Sequence, residues 1–177
     1  KRSRGNRQRM TAETMRTRAT DSPVAAYVLR RALKVTPAVA FEFLSSPESL
    51  VELGTAKSVR SELLGSESGV VRRRVYVTEA PFGRCCPQIT VAAMMMSSAA
   101  DLTVSFSSNS QGTAVSHVYG FQAAEGGCVC TDTVEITNVP PCSSCIVVPI
   151  ARRSHTRTMD ALAERFSGSH PALANAY

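Results

Sequence analysis

The 177-residue sequence predicts an α+β fold in which a curved antiparallel sheet of about six to seven strands grips one long C-terminal helix. Three observations predict it. Segments rich in β-branched residues follow one another with turn residues between them, two proline breaks come after the first strand, and an apolar stripe of helical period comes last. Because a curved sheet cannot contact the helix along its whole length, we expect a cavity between them.

The first strand is predicted over residues 27–35, where β-branched and aromatic side chains alternate approximately. Thr36 and Pro37 then have the residue types of a helix N-cap and a first helical position. After a second break, Ser46 is expected to cap another short helix, which ends at Gly54. We therefore predict two short helices after the first strand.

A series of six further strands is predicted up to the Pro140–Pro141 pair. The Gly- and Ser-rich loop 65–69 is expected to join the first two as a hairpin. The predicted ranges are 56–64, 70–78, 89–96, 102–107, 114–123 and 128–137. The last range alternates cleanly, which places Cys128, Cys130, Asp132, Val134 and Ile136 on one face.

The final helix is predicted from an apolar stripe at positions i, i+4, i+7 and i+11, formed by His155, Met159, Leu162 and Phe166. Pro149 is expected either in its first turn or at a kink that follows a preceding turn over 143–148. This helix should pack its stripe against the concave face of the sheet.

The charge of the chain is concentrated at its N-terminus. The net charge is +6, and all of it comes from the first twenty residues, where seven Lys and Arg face the single acid Glu13. Such a polar segment cannot bury enough surface to fold alone. We therefore divide the chain into a basic arm over 1–24, a domain over 25–167 and a tail over 168–177.

The arm is expected to dock onto other subunits of a large complex, or onto anionic lipid headgroups or ribosomal RNA. The residues predicted to make these contacts are Arg2, Arg4, Arg7, Arg9, Arg16 and Arg18. In composition the arm resembles an organellar transit peptide, so we expect a mitochondrial or plastid protein, soluble or peripheral to a membrane. No stretch approaches the roughly 20 apolar residues of a membrane-spanning helix.

Two strings carry a resemblance to a known superfamily, namely LKVTPAVAFEFLSSPESLVEL over 33–53 and TDTVEITN…PIARRSHTRTMDALAERF over 131–166. With the order of predicted elements, they resemble the START-like or SRPBCC superfamily, which has the helix-grip fold. Its members include lipid-transfer domains, coenzyme Q-binding proteins and polyketide cyclases. The resemblance implies a hydrophobic cavity that holds a lipid or quinone, and we assign His117, His155, Met159 and Leu162 to it.

Catalysis is not expected from the sequence. His117 and His155 are the histidines of the predicted domain, and neither belongs to a recognisable catalytic motif. An enzyme would need one of them to meet a carboxylate such as Asp132 or Glu135 inside the cavity. Histidines that satisfy hydrogen bonds at the cavity rim are the simpler expectation.

The cysteines and a central arginine cluster leave alternatives open. The six cysteines include adjacent Cys85 and Cys86 and a C-x-x-C at 142–145, and free thiols, one disulfide or a metal site are all compatible with this spacing. We expect no metal. Arg72 and Arg74 should share a solvent-exposed face of an edge strand, where they either remain solvated or contact an anion.

Three functions follow from these expectations. The first is a noncatalytic accessory subunit of an organellar assembly, built on a lipid- or quinone-binding domain and docked by its arm. The second is a soluble carrier or chaperone for a lipid, quinone or pigment. The third is a cyclase-like enzyme.

Overall fold

A computed structural model of the chain describes residues 23–79, 88–110, 112–140 and 143–167. The predicted arm, apart from residues 23 and 24, and the predicted tail lie outside these ranges. The elements are β1 (Ala25–Leu33), α1 (Pro37–Ser45), α2 (Ser49–Glu52), β2 (Ser58–Glu67), β3 (Val70–Glu79), β4 (Ile89–Ser98), β5 (Thr103–Ser110), β6 (Thr113–Ala124), β7 (Gly127–Thr137) and α3 (Ser144–Arg165). The predicted α+β class and the element order are confirmed.

The seven strands form one antiparallel sheet in the order β1-β7-β6-β5-β4-β3-β2. Strands β2 to β6 are each hydrogen-bonded to the strand that follows in the sequence, whereas β1 pairs with β7. The segment that contains α1 and α2 therefore connects the two edge strands of the sheet. The helix α3 packs on β1 and β7.

The start of α1 follows the predicted capping chemistry. The Thr36 hydroxyl accepts a hydrogen bond from the backbone N–H of Val39, and Pro37 occupies the first helical position. The prediction that Ser46 caps α2 is wrong, because its hydroxyl donates to the carboxylate of Glu48 at 2.7 Å. α2 consequently begins later than predicted, at Ser49.

The hairpin between β2 and β3 is tighter than predicted. β2 extends through the Gly- and Ser-rich loop to Glu67, whereas β3 begins at Val70 as predicted, so that only Ser68 and Gly69 remain between them. Their φ angles are 52° and 78°, which is the left-handed conformation that tight hairpin turns require. A register shift between Leu63 and Gly65 accommodates the extension of β2.

The long helix α3 begins earlier than the sequence indicates. Pro149 lies inside it, after the turn that begins at Ser144, so the alternative that Pro149 marks the first helical turn is wrong. The predicted stripe is confirmed at the other end, where Met159 and Leu162 are fully buried and Phe166 is 5% exposed. This half of the helix fixes α3 to the core, with Phe166 packed edge-on against Phe43 of α1.

In the described part of the chain, no helix has the length and apolar character to cross a membrane.

Candidate functional site

A cavity of about 370 Å³ lies between the sheet and the N-terminal half of α3. Its walls come from strands β3 to β6, from the segment around α2, and from α3. The apolar side chains that line it include Leu50, Val77, Val91, Ala93, Phe106, Val115, Val147 and Ile150. The polar side chains are Thr55, Glu79, Ser108, His117, Tyr119, Ser154, His155 and Thr158.

The two halves of α3 have different roles. Residues 147–158 supply the cavity wall, whereas the half that follows is buried in the core. Of the four residues assigned to the cavity from the sequence, His117 and His155 line it. Met159 and Leu162 do not line it, because they pack completely into the hydrophobic core beside the cavity. The helical stripe predicted which face of α3 is buried. It did not predict where along the helix the sheet curves away and the cavity begins.

Beside the cavity, Asp132 of β7 lies between His117 of β6 and His155 of α3. Its Oδ2 lies 2.8 Å from Nδ1 of His155, and its Oδ1 lies 3.3 Å from Nδ1 of His117. Asp132 is fully buried, while the side chains of His117 and His155 are 15% and 12% exposed. The two imidazole rings stand edge to face with centroids 4.4 Å apart. We call these three residues the His-Asp-His cluster.

Strand periodicity and register explain how the cluster forms. Asp132 belongs to the inward face of β7, together with fully buried neighbours such as Cys130 and Val134. Tyr119 is its register partner on β6, and His117 lies two residues from Tyr119, on the same face. His155 reaches the cluster from α3. Side-chain alternation therefore predicts that Asp132 points inward and that Glu135 points outward, and Glu135 is indeed exposed.

Aromatic side chains hold the imidazole rings in place. Phe106 stacks on His117 with ring centroids 5.1 Å apart and an interplanar angle of 9°. Tyr119 meets His117 edge-on at 5.1 Å, and Tyr27 meets His155 edge-on at 6.2 Å. Rings that are packed on one side and hydrogen-bonded on another have few alternative rotamers, so the cluster is preorganised.

The electrostatics of the cluster favour a charged Asp132 beside an uncharged His117. Burial acts to raise the pKa of Asp132, but the hydrogen bonds and charges of His117 and His155 outweigh it, so that this pKa lies below its usual value. Burial lowers the pKa of His117 by more than its hydrogen bond to Asp132 raises it. The site therefore keeps an ionised carboxylate next to an imidazole that resists protonation.

An ionised carboxylate can only accept hydrogen bonds, so both Nδ1 atoms carry hydrogen in this arrangement. The Nε2 atom of a neutral ring is then the proton acceptor, as in sites where a carboxylate orients a basic histidine. Ligand atoms of the three side chains also lie within 4.8 Å of one another, close enough to hold a divalent metal ion after small shifts. Such an ion would displace the Nδ1 protons, because it would take the same lone pairs.

A second carboxyl group in the cavity was missed by the sequence analysis. Glu79 ends β3 on the same face as the buried Val75 and Val77, and the Ser154 hydroxyl lies 3.5 Å from its Oε2. Burial raises the pKa of Glu79, against the opposing effects of His155, Ser154 and Arg157. The alternation of β3 was the signal that could have identified it.

The other predicted site residues lie elsewhere. Arg72 and Arg74 are both exposed, as predicted, and Arg74 is 3.7 Å from the carboxylate of Glu62. The expectation of an edge strand is wrong, because β3 is hydrogen-bonded on both sides. The thiols of Cys128 and Cys130 are free and buried. The predicted arm arginines, Cys85, Cys86 and Cys142 lie outside the described residues.

Comparisons with known proteins identify the fold. No family model and no curated protein matches the sequence. Among solved structures, TTHA0849 from Thermus thermophilus is 15% identical with a TM-score of 0.61, covering 82% of this chain and 100% of its own. The Zhui aromatase/cyclase from Streptomyces sp. R1128 is 9% identical with a TM-score of 0.61, covering 81% and 93% respectively. Ara h 8.0201 is 17% identical with a TM-score of 0.58, covering 82% and 99%.

These similarities confirm the predicted helix-grip fold. At such low identities they show the fold and not the activity. The neighbours include aromatase/cyclases by name, and nothing among them concerns an organellar accessory subunit.

Proposed function

We propose that this chain is a noncatalytic binding protein for a hydrophobic small molecule, which it holds between the sheet and α3. The cavity carries the proposal, because about 370 Å³ lined mainly by apolar side chains lies within the range of ligand sites in proteins. A few polar groups on its wall would orient the ligand, as in most such sites. The helix-grip fold supports the proposal, since solved structures with this fold include proteins named as aromatase/cyclases.

A cavity-filling substitution tests the proposal. Ala93 lines the cavity, and Ala93→Phe would occupy part of its volume. The uncharged fluorescent probe N-phenyl-1-naphthylamine should bind the wild-type protein, and the variant should bind it at least about tenfold more weakly. Ala92→Phe is the matched control, because Ala92 is exposed on the opposite face of the same strand. Equal binding by wild type and both variants, or no binding at all, would contradict the proposal.

A second candidate function is acid–base catalysis on the bound molecule, and the His-Asp-His cluster specifically favours it. The contact between histidine and carboxylate that an enzyme would need is present at Asp132, and both imidazoles line the cavity. A base oriented in this way accelerates proton transfer by about 10²–10⁴-fold. The reaction class would be removal of a proton next to a carbonyl group, with the acid Glu79 in the same cavity.

Hydrogen–deuterium exchange at the methyl group of 2-acetylnaphthalene, followed by NMR in heavy water, tests this candidate. The wild-type protein should exchange these protons, and His155→Ala should lose about 100-fold of the rate per bound ligand. His170→Ala is the control, since it removes the third histidine of the sequence from the predicted tail. Equal rates in wild type and His155→Ala would leave only the binding function.

A more specific proposal adds a cellular role to the binding function: the domain works as an accessory subunit of an organellar assembly, docked through its basic arm. Its support is the charge distribution, with the whole net charge of +6 in the first twenty residues. A ligand-binding domain and a docking arm are compatible in one chain. Native mass spectrometry after gentle purification tests both parts, because other subunits and a small molecule would each add a distinct mass.

A further inference from the structure

From the charges around the cavity, we propose that the ligand is uncharged and carries a carbonyl or hydroxyl oxygen, so that carboxylates are rejected. This inference rests on the proposed binding function and names the chemical class of its ligand. Hydrophobic metabolites often end in a carboxylate, so the distinction between these classes defines which molecules the cavity selects.

The acidic groups around the cavity argue against an anion, because neither of them supplies a positive charge. Glu79 lines it directly, and the fully buried Asp132 lies behind His117 and His155. Among the described residues that line the cavity, none is Lys or Arg. A carboxylate transferred there would lose its hydration without gaining a cationic partner, which is costly in a low-dielectric site.

The histidines do not replace the missing cation. Both imidazoles already contact Asp132, with Nδ1 of His117 3.3 Å and Nδ1 of His155 2.8 Å from its carboxylate oxygens. A proton on either ring would form an ion pair with Asp132, so that its charge would already be compensated. Arg157 acts on Glu79 from an exposed position on α3 and does not line the cavity. The described wall is therefore neutral or negative overall.

The polar groups of the wall suit an oxygen that accepts hydrogen bonds. Tyr119 lines the cavity and is buried, and its phenol O–H can donate a hydrogen bond to a ligand. Burial favours the protonated form of Glu79, whose carboxyl O–H is a further donor, while the Ser154 hydroxyl donates to its Oε2. Carbonyl and hydroxyl oxygens accept such bonds without bringing a charge, and apolar side chains surround the rest of the ligand.

Two nearly isosteric probes test the ligand class on the full-length protein. 2-Acetylnaphthalene carries a ketone where 2-naphthoate carries a carboxylate, and the ring systems are identical. Isothermal titration near neutral pH should give a dissociation constant at least about tenfold lower for the ketone. The preference should shrink on acidification, as naphthoate becomes protonated and loses its charge.

A cation introduced into the wall gives a second, independent readout. Glu79→Lys places a cation in the cavity, so naphthoate should gain affinity relative to the ketone by about tenfold or more. Glu62→Lys is the matched control, because it makes the same change at an exposed position of β2. If Glu79→Lys does not fold, the comparison of the two probes on the wild-type protein still decides the question.

A ketone preference that weakens in Glu79→Lys and persists in Glu62→Lys supports the inference. Naphthoate binding as tightly as the ketone, or more tightly, to the wild type overturns the ligand class and leaves the binding function intact. If neither probe binds and N-phenyl-1-naphthylamine also fails to bind, the binding function itself fails. The two failures are therefore distinguishable.

Discussion

Oδ2 of Asp132 lies 2.8 Å from Nδ1 of His155, which joins the inward face of β7 to the long helix α3 inside the protein. Asp132 also binds His117 of the neighbouring strand, so one buried carboxylate links two strands and a helix. A buried charge is tolerated only with such partners. The contact therefore stabilises the position of α3 and orients the two imidazoles at the cavity.

We predict that Asp132→Ala lowers the free energy of unfolding by about 1–3 kcal/mol, because it leaves two buried N–H donors without their acceptor. Urea unfolding at neutral pH measures the change. Glu135→Ala is the matched control, since Glu135 is exposed on the opposite face of β7 and should change stability by less than about 0.5 kcal/mol. Equal stability of the two variants would mean that the buried hydrogen bonds contribute nothing.

Local periodicity explains why the fold could be predicted. The alternation of β7 showed which side chains are buried, and the stripe with Leu162 and Phe166 showed which face of α3 enters the core. Both signals arise within single elements, so no knowledge of distant contacts is needed. The N-cap of α1 at Thr36 could be predicted for the same reason.

The candidate site could be predicted only in part, because it depends on distant contacts. Alternation placed Asp132 inward and the helical stripe included His155, but these residues are 23 positions apart and nothing in the sequence indicates that their side chains meet. Glu79 was missed because a single acid at a strand end resembles a solvated residue. Its burial comes from α3, through Ser154, which lies 75 residues away in sequence.

The C-terminal half of α3 should dominate the stability of the domain. Leu162→Ala and Phe166→Ala should each lower the free energy of unfolding by roughly 2–5 kcal/mol, because each opens a cavity in a tightly packed core. Glu164→Ala, at an exposed position of the same helix, is the control. Thermal unfolding measures all three. Unchanged melting temperatures for both core variants would contradict the packing of α3 against the sheet.

A pH-dependent contribution to stability is expected from Glu79. Because its pKa is raised, the folded protein holds this proton at pH values where the unfolded chain has lost it. Its contribution is complete below the ordinary pKa of a glutamate and is lost as the pH rises through the raised pKa. Glu79→Gln keeps a neutral side chain at every pH, so its stability relative to wild type should increase from about pH 4 to about pH 8.

Urea unfolding across this range measures the difference between variant and wild type, which cancels the titration of groups that both proteins share. Glu135→Gln is the control at an exposed position. A difference for Glu79→Gln that stays constant with pH, or decreases as the pH rises, would show that Glu79 is not held in its protonated form by the fold.

The basic arm, rather than the domain, should govern association with anionic partners. Deleting residues 1–18 removes seven positive charges and one negative charge, and should leave the melting temperature of the domain unchanged. The full chain should bind phosphatidylserine-containing vesicles or ribosomal RNA in a salt-sensitive way, because exposed charges are screened within about 8 Å at physiological ionic strength. Deleting residues 168–177 is the matched control, since that segment contains no Lys or Arg. Undiminished binding after loss of residues 1–18 would refute the docking role of the arm.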